Sequence, residues 1–122
     1  MTLPLEIPFR FPTPRASQEQ LVLDAYDAVK NKKILLAHAE TGMGKTDAAL
    51  SAALGAIRAT LFSKEKSVDG KKTIIFVTPK NSQHLIAISA LREINQKFGL
   101  QLRVVDLVGK KHLCIDESVQ QK

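Results

Sequence analysis

Apolar residues occur along this chain in two patterns: short continuous runs, and longer segments in which they recur every three or four positions. The continuous runs are Ile34 to Ala37, Thr73 to Thr78 and Leu102 to Val108. Runs of this length predict buried strands of a parallel sheet. Because they alternate with helical segments, the sequence predicts an α/β fold in which right-handed crossovers place helices on both faces of the sheet.

Three segments have the spacing of helices, at about residues 17–31, 45–61 and 81–99. The first begins at a capping box formed by Ser17 and Gln20, and the third ends at a glycine, which is a common stop signal. On each predicted helix, the apolar residues at helical spacing form a stripe that is expected to face the protein core. They are Val22, Ala25, Tyr26 and Val29, then Leu50, Ala53, Leu54, Ile57 and Leu61, and finally Ala87, Ala90, Leu91, Ile94 and Phe98.

The chain divides into an arm, a domain and a tail. Residues 1–15 contain four prolines. Proline has no backbone N–H and disfavours the helical conformation in the residue before it, so this segment is predicted to be an extended arm. Residues 16–109 form the predicted nucleotide-binding domain, and residues 110–122 form a tail. Within the domain, residues 62–72 are polar and predict a solvated loop.

Candidate chemistry lies between the first apolar run and the second helical segment. The residues there are, in order, Ala39, Glu40, Thr41, Gly42, Met43, Gly44, Lys45 and Thr46. Gly42 and Gly44 can adopt positive φ and turn backbone N–H groups toward phosphate oxygens, at the positive end of a helix. Lys45 would bridge the β and γ phosphates, and Thr46 would bind Mg²⁺. The run predicts an ATP·Mg²⁺ site, although Ala39 stands where the strict pattern has glycine.

Composition narrows the range of partners. The net charge of +6 and the isoelectric point near 9.6 favour a polyanionic partner such as nucleic acid. No apolar run has the length of a membrane span and the N-terminus lacks a secretory pattern, so we expect no membrane partner and a cytoplasmic location, or a nuclear one in a eukaryote. A single cysteine cannot form an internal disulfide, which fits a reducing compartment.

Three short motifs, in this order, resemble the N-terminal part of the first motor domain of XPD/DinG-type superfamily 2 DNA helicases. The first is Arg15-Ala16-Ser17-Gln18, similar to the arginine-x-x-glutamine element that lies one helix upstream of the phosphate loop. The resemblance implies that the Gln18 amide pairs with adenine. The second is the loop itself, which resembles motif I with its small first residue, Ala39. The resemblance implies a three-layer, RecA-like P-loop NTPase fold, of which this chain supplies a partial domain.

The third motif is the segment Thr78-Pro79-Lys80-Asn81-Ser82-Gln83, which resembles motif Ia. In the family, backbone amides and short polar side chains of this motif contact the DNA backbone. The resemblance implies contacts with single-stranded or forked DNA by Thr78, Lys80, Asn81 and Gln83. The family commonly has an arginine in this turn, and here Lys80 is the candidate for the phosphate contact. A helix cap followed by a surface lysine is the alternative interpretation.

The segment from Lys110 to Ile115 resembles the basic stretch and first cysteine that open the iron–sulfur domain of these helicases. In the family, four cysteine thiolates hold a 4Fe–4S cluster. This chain has one, Cys114, so it can be a cluster ligand only if the missing ligands are supplied. Alternatively, Asp116 and Glu117 form the acidic pair that holds magnesium and polarises water after an apolar strand. A charged surface end is the third interpretation.

The resemblance implies the ATP-binding portion of an ATP-dependent DNA helicase, of the 5'–3' type and connected with DNA repair. On its own the chain is expected to bind ATP weakly at best and not to hydrolyse it, unless Asp116 and Glu117 supply the missing acidic pair. A non-hydrolysing regulatory module that acts through a partner, such as the remainder of a split helicase, and a small ATPase using Asp116 and Glu117 are alternatives. Asp47, directly after the loop, is expected to be a structural acid rather than a catalyst.

Overall fold

The computed structural model describes residues 3–62, 72–107 and 109. Within these residues the chain forms three helices: α1 (Ala16–Lys30), α2 (Lys45–Phe62) and α3 (Asn81–Phe98). Helix α2 contacts both of the others. All three predicted helical segments are confirmed, and α3 ends at Gly99 in the left-handed conformation, with φ of 61°. None of these helices is long and apolar enough to cross a membrane.

The predicted α/β fold with a parallel sheet is wrong for the described part of the chain. Residues 34–37, 73–78 and 102–107 carry neither helix nor strand, and Val108 lies outside the described residues. The backbone hydrogen bonds outside the helices form turns and caps within the described ranges, and none pairs these segments. A strand forms only when a neighbouring segment pairs with its backbone hydrogen-bonding groups. An apolar run indicates only that its own segment tends to be buried.

Side-chain exposure in these three segments also differs from that of buried strands. Ile34 and Leu36 are 100% and 98% exposed, whereas Leu35 between them is 42% exposed. The same alternation occurs in the second and third segments, so one row of apolar side chains in each segment faces solvent. We refer to these side chains as the exposed apolar row. Its members are Ile34, Leu36, Ile75, Val77, Val105 and Leu107.

Residues 3–15 of the predicted extended arm contain turns and bends but no helix, and they pack into the core. Ile7 and Phe9 are buried against Val22 of α1 and against Ala48 and Ala52 of α2. Alanines four positions apart lie on the same face of a helix, and their small side chains let the arm approach α2 closely. The predicted stripe of α2 did not include this alanine face, so α2 has two buried faces rather than one.

The second buried face of α2 packs against α3. Leu50 forms a cluster with Ala87 and Ala90, and Ile94 is fully buried on the same side of α3. These residues confirm part of the predicted stripes of α2 and α3, while the Leu61 side chain lies outside the described residues. The prediction fails at Val29 of α1, which is 46% exposed.

Glu6 ties the arm to α1 and α2 through polar contacts. The Tyr26 hydroxyl donates a hydrogen bond of 2.7 Å to Glu6 Oε1, and Arg58 Nη1 donates one of 3.1 Å to the Glu6 carbonyl. Burial, assisted by the bond to Glu6, raises the pKa of Tyr26 to about 12. The same hydrogen bond is the main cause of the lowered pKa of Glu6.

Candidate nucleotide-binding site

The loop of residues 39–46 forms a tight turn directly before α2. Gly42 and Gly44 have φ values of 80° and 85°, the positive values that glycine adopts readily and that the sequence predicts. The Met43 N–H donates to the Glu40 carbonyl at 3.4 Å, and α2 begins at Lys45. The turn therefore lies at a helix N-terminus, where unpaired N–H groups and the helix dipole favour an anion.

Two side chains at the start of α1 hold the carbonyls of both loop glycines. Arg15 Nη1 donates a hydrogen bond of 2.9 Å to the Gly42 carbonyl, and Gln18 Nε2 donates one of 3.1 Å to the Gly44 carbonyl. Gln18 is 5% exposed, and its Oε1 accepts the Arg15 N–H at 3.3 Å. We call Arg15 and Gln18 the loop clamp, because together they attach the turn to α1.

The loop clamp also determines where α1 begins. The predicted capping box of Ser17 and Gln20 is wrong, because the helix starts one residue before Ser17 and has Arg15 at its N-cap. Gln18, three residues after the cap, bonds back to it, while Gln20 donates to Asp24 Oδ1 at 2.9 Å. Gln18 and Gln20 each lie three residues after a possible N-cap, Arg15 and Ser17 respectively. The helix starts at the cap of Gln18, which also bonds to the loop.

The hydrogen bonds of the Gln18 amide determine which of its groups remain for the expected contact with adenine. A primary amide has two N–H donors and an oxygen with two lone pairs. One donor is used on Gly44 and one lone pair on the Arg15 N–H. One donor and one lone pair therefore remain, which is the pair needed to recognise an adenine edge. Gln18 is only 5% exposed, so a base would reach these two groups only after neighbouring residues move.

Lys45 and Thr46 lie in the first turn of α2. The exposed Lys45 side chain folds back over the loop, and its Nζ donates to the Ala39 carbonyl at 3.3 Å. Thr46 is partly buried, and Glu40 and Thr41 are exposed. The ammonium group can exchange its neutral carbonyl partner for a phosphate oxygen, since the lysine side chain is long and mobile about its stem.

Magnesium fits this donor set, because Mg²⁺ keeps several waters and takes only one or two protein ligands beside substrate phosphates. Among the described residues, no group of three or more His, Cys, Asp or Glu side chains could hold a metal ion. Cys114, Asp116 and Glu117 lie outside the described ranges. A 4Fe–4S cluster does not fit this chain, since its four thiolate ligands exceed the single cysteine present.

Asp47, the residue directly after the loop, forms a largely buried ion pair with Arg10. Asp47 Oδ2 accepts a hydrogen bond of 3.0 Å from Arg10 Nη2, and Oδ1 lies 2.6 Å from Arg10 Nε in a close ionic contact. Arg10 Nη1 also lies 3.1 Å from Glu93 Oε1 of α3. Asp47 thus has the structural role that the sequence predicts. The sequence did not identify Arg10 as its partner, because the two residues lie 37 positions apart.

The candidate DNA-contacting residues lie together at the start of α3. Lys80 is its N-cap and is exposed; its carbonyl accepts the Gln83 N–H at 3.1 Å and the Thr78 hydroxyl at 3.2 Å. Gln83 is exposed as well, while the Asn81 side chain is outside the description. The turn thus combines a helix N-terminus with an exposed lysine, both of which favour phosphate.

Loop, clamp and helix terminus together define a candidate phosphate-binding site of the nucleotide-binding type. The chain is similar to the ATP-dependent DNA helicase YoaA of Haemophilus influenzae, with 33% identity over 108 residues, 88% of this chain and 15% of that protein. It is also similar to a probable ATP-dependent helicase of Methanocaldococcus jannaschii, with 28% identity over 104 residues, 85% of this chain and 14% of that protein. No family model and no solved structure matches the chain.

These similarities extend over most of the chain, so they include the loop and the start of α3. They support a helicase-related region. The chain spans about one seventh of the length of either relative.

Proposed function

We propose that residues 39–46 bind the phosphates of ATP with Mg²⁺, as the ATP-binding portion of an ATP-dependent DNA helicase. The observation that carries this proposal is the pair of positive-φ glycines, Gly42 and Gly44, directly before the first residue of α2. Positive φ at these glycines supports the proposal, because phosphate loops use such residues to direct backbone N–H groups at an anion. The similarity to two named helicases supports the same proposal.

Each loop residue then has a defined task. Lys45 leaves the Ala39 carbonyl and neutralises the β and γ phosphates, while the Thr46 hydroxyl is the protein ligand of Mg²⁺. The backbone N–H groups from Ala39 to Gly44, apart from that of Met43, which bonds to the Glu40 carbonyl, surround the phosphates. The loop clamp holds the two glycine carbonyls, and the N–H and the lone pair of Gln18 that the clamp does not use recognise adenine.

We propose further that DNA binds at the start of α3. Lys80, exposed at the N-cap, contacts a phosphate of single-stranded or forked DNA, and Thr78, Asn81 and Gln83 contact the same backbone. The net charge of +6 supports a polyanionic partner. The order of the three motifs favours the XPD/DinG type of helicase, with Cys114 as a cluster ligand only when other ligands are supplied.

Hydrolysis needs groups beyond those described. An acidic pair must hold magnesium and orient water, and an arginine from a second motor domain usually completes the site. We therefore propose that this chain by itself binds ATP without turning it over. Sustained phosphate release by the purified chain, abolished in Glu117→Gln, would instead support the small-ATPase alternative.

Two lysine variants test the site assignments against each other. A fluorescent ATP analogue and a labelled single-stranded oligonucleotide are titrated separately into the wild-type chain, Lys45→Ala and Lys80→Ala. We expect Lys45→Ala to lose affinity for ATP but not for DNA, and Lys80→Ala to show the reverse. Both variants remove one positive charge from an exposed side chain, so each controls for the other. Equal ATP binding by wild type and Lys45→Ala contradicts the assigned site.

The exposed apolar row favours a second candidate, a nucleotide-binding module that acts through association with a partner. Side chains such as Ile34 and Leu36 are almost fully exposed, and apolar side chains left in water gain free energy when a partner covers them. Size-exclusion chromatography and a pull-down distinguish the two. A well-behaved monomer that captures no partner counts against this candidate.

A further inference from the structure

A carboxylate lies where the proposed function needs positive potential. Asp47 directly follows Thr46 in the first turn of α2, and its side chain is only 8% exposed. The same helix N-terminus faces the loop that is to receive phosphate. Negative charges repel one another more strongly when little water separates them. An uncompensated Asp47 would therefore oppose a triphosphate more than a diphosphate or a monophosphate.

Arg10 compensates this charge through a fixed geometry. Two of its guanidinium nitrogens contact the Asp47 carboxylate, and its side chain is 15% exposed. The arm is held in place by Lys97, whose Nζ donates to the Arg10 carbonyl at 2.7 Å. Arg10 also contacts Glu93, but that carboxylate is 55% exposed and its charge is screened by solvent. Asp47 is thus the principal acidic partner of Arg10.

We propose that Arg10 is a positioning residue of the nucleotide site, which neutralises Asp47 so that the triphosphate meets a phosphate loop without an opposing buried charge. This inference rests on the proposed function, because it concerns the affinity of the same site. The arm thereby contributes to nucleotide selectivity without touching the nucleotide. Its contribution increases with the number of phosphates on the ligand.

The test compares ATP, ADP and AMP binding to the wild-type chain, Arg10→Gln and the double variant Arg10→Gln with Asp47→Asn. We expect Arg10→Gln to raise the Kd for ATP about tenfold, which corresponds to about 1.4 kcal/mol. The loss is smaller for ADP and smallest for AMP. The double variant restores ATP affinity, because it removes the uncompensated carboxylate together with the arginine. A merely structural role of Arg10 predicts equal losses for the three nucleotides and no rescue, and that result overturns the inference.

Removing one partner of a buried ion pair can prevent folding, so Asp47→Asn alone provides an independent arm of the test. Asparagine has nearly the same shape as aspartate and retains an acceptor for Arg10. We expect this variant to bind ATP at least as tightly as the wild type, with an increased preference for ATP over AMP. Weaker ATP binding by a folded Asp47→Asn chain, verified by circular dichroism, overturns the inference even when Arg10→Gln does not fold.

Lys45→Ala separates failure of this inference from failure of the proposed function. When the wild type binds ATP no better than Lys45→Ala, the assignment of the nucleotide site is wrong. When Lys45→Ala loses binding but the Arg10 and Asp47 variants show no dependence on phosphate number, only the role of Arg10 is wrong.

Discussion

A β-carbon on Gly55 of α2 would lie 2.7 Å from Ile7 Cγ1 and 2.9 Å from Ile7 Cα in the arm. Ordinary van der Waals contacts between carbons are about 3.5–4.0 Å. The glycine therefore provides the space in which the arm backbone crosses the helix. Ile7 is buried at this crossing, so the attachment of the arm to α2 depends on the absence of a side chain at position 55.

We expect Gly55→Ala to lower the free energy of unfolding by about 1–3 kcal/mol, the usual cost of forcing atoms into a packed core. Helix propensity alone favours alanine by about 1 kcal/mol. Ala49→Gly, on the exposed side of the same helix, is the matched control and should cost only that propensity difference. Urea denaturation followed by far-ultraviolet circular dichroism measures both. A more stable Gly55→Ala chain contradicts the close crossing.

Gly42 and Gly44 give a second matched pair, since both have positive φ but different surroundings. A β-carbon on Gly44 would collide with the Gln18 amide, whereas one on Gly42 meets nothing within 4 Å. Both alanine variants carry the strain of a left-handed alanine, about 1–2 kcal/mol. We expect Gly44→Ala to lose additional stability and ATP affinity, because the loop clamp must move. Equal losses in the two variants would show that strain alone decides the outcome.

The two roles assigned to Gln18 make different predictions for base selectivity. Support of the loop benefits any nucleotide, while pairing with adenine benefits ATP alone. We expect Gln18→Ala to weaken GTP binding and to weaken ATP binding further. Gln20→Ala, which removes the neighbouring exposed glutamine, is the control and should change neither affinity. Unchanged GTP binding by Gln18→Ala argues against loop support, and equal losses for ATP and GTP argue against the adenine contact.

Alkaline pH should destabilise the chain through Tyr26. The pKa of Tyr26 rises from 10.0 to about 12 on folding, so the folded state keeps its proton at pH values where the unfolded state has lost it. The resulting stability is fully present below pH 10.0 and is lost as the pH rises toward about 12. Tyr26→Phe removes this component of the pH dependence.

The chain has one tyrosine and no tryptophan, so near-ultraviolet tyrosinate absorbance reports Tyr26 directly. The expected titration midpoint in the folded chain lies well above that in urea. A shared midpoint would mean that the hydroxyl is neither buried nor bonded to Glu6.

Helices were predictable from this sequence because their signals are local. The start of α2 at Lys45 and the stop of α3 at Gly99 follow from residues within one turn of each boundary. The predicted sheet was wrong because pairing depends on a second segment. The run from Ile34 to Ala37 is apolar, but within the described residues nothing pairs with its backbone and its alternate side chains face solvent.

The candidate site was also predictable only where its residues are close together in the sequence. The glycines, Lys45 and Thr46 are adjacent in sequence, so their pattern indicates a phosphate loop directly. The contact between Arg10 and Asp47 spans 37 positions, and such a pair has no signature in one sequence. The clamp contact of Arg15 with Gly42 spans 27 positions and was equally hidden, although the arginine itself belongs to a recognisable motif.

The exposed apolar row also affects the heat capacity of the chain. Unfolding raises the heat capacity mainly by hydrating apolar surface, at about 12–15 cal/mol/K per residue in ordinary domains. Ile34, Leu36 and their counterparts in the other two segments are already hydrated in the folded chain. Differential scanning calorimetry should therefore give a heat-capacity increment per residue below this range, and a stability curve that is unusually flat with temperature.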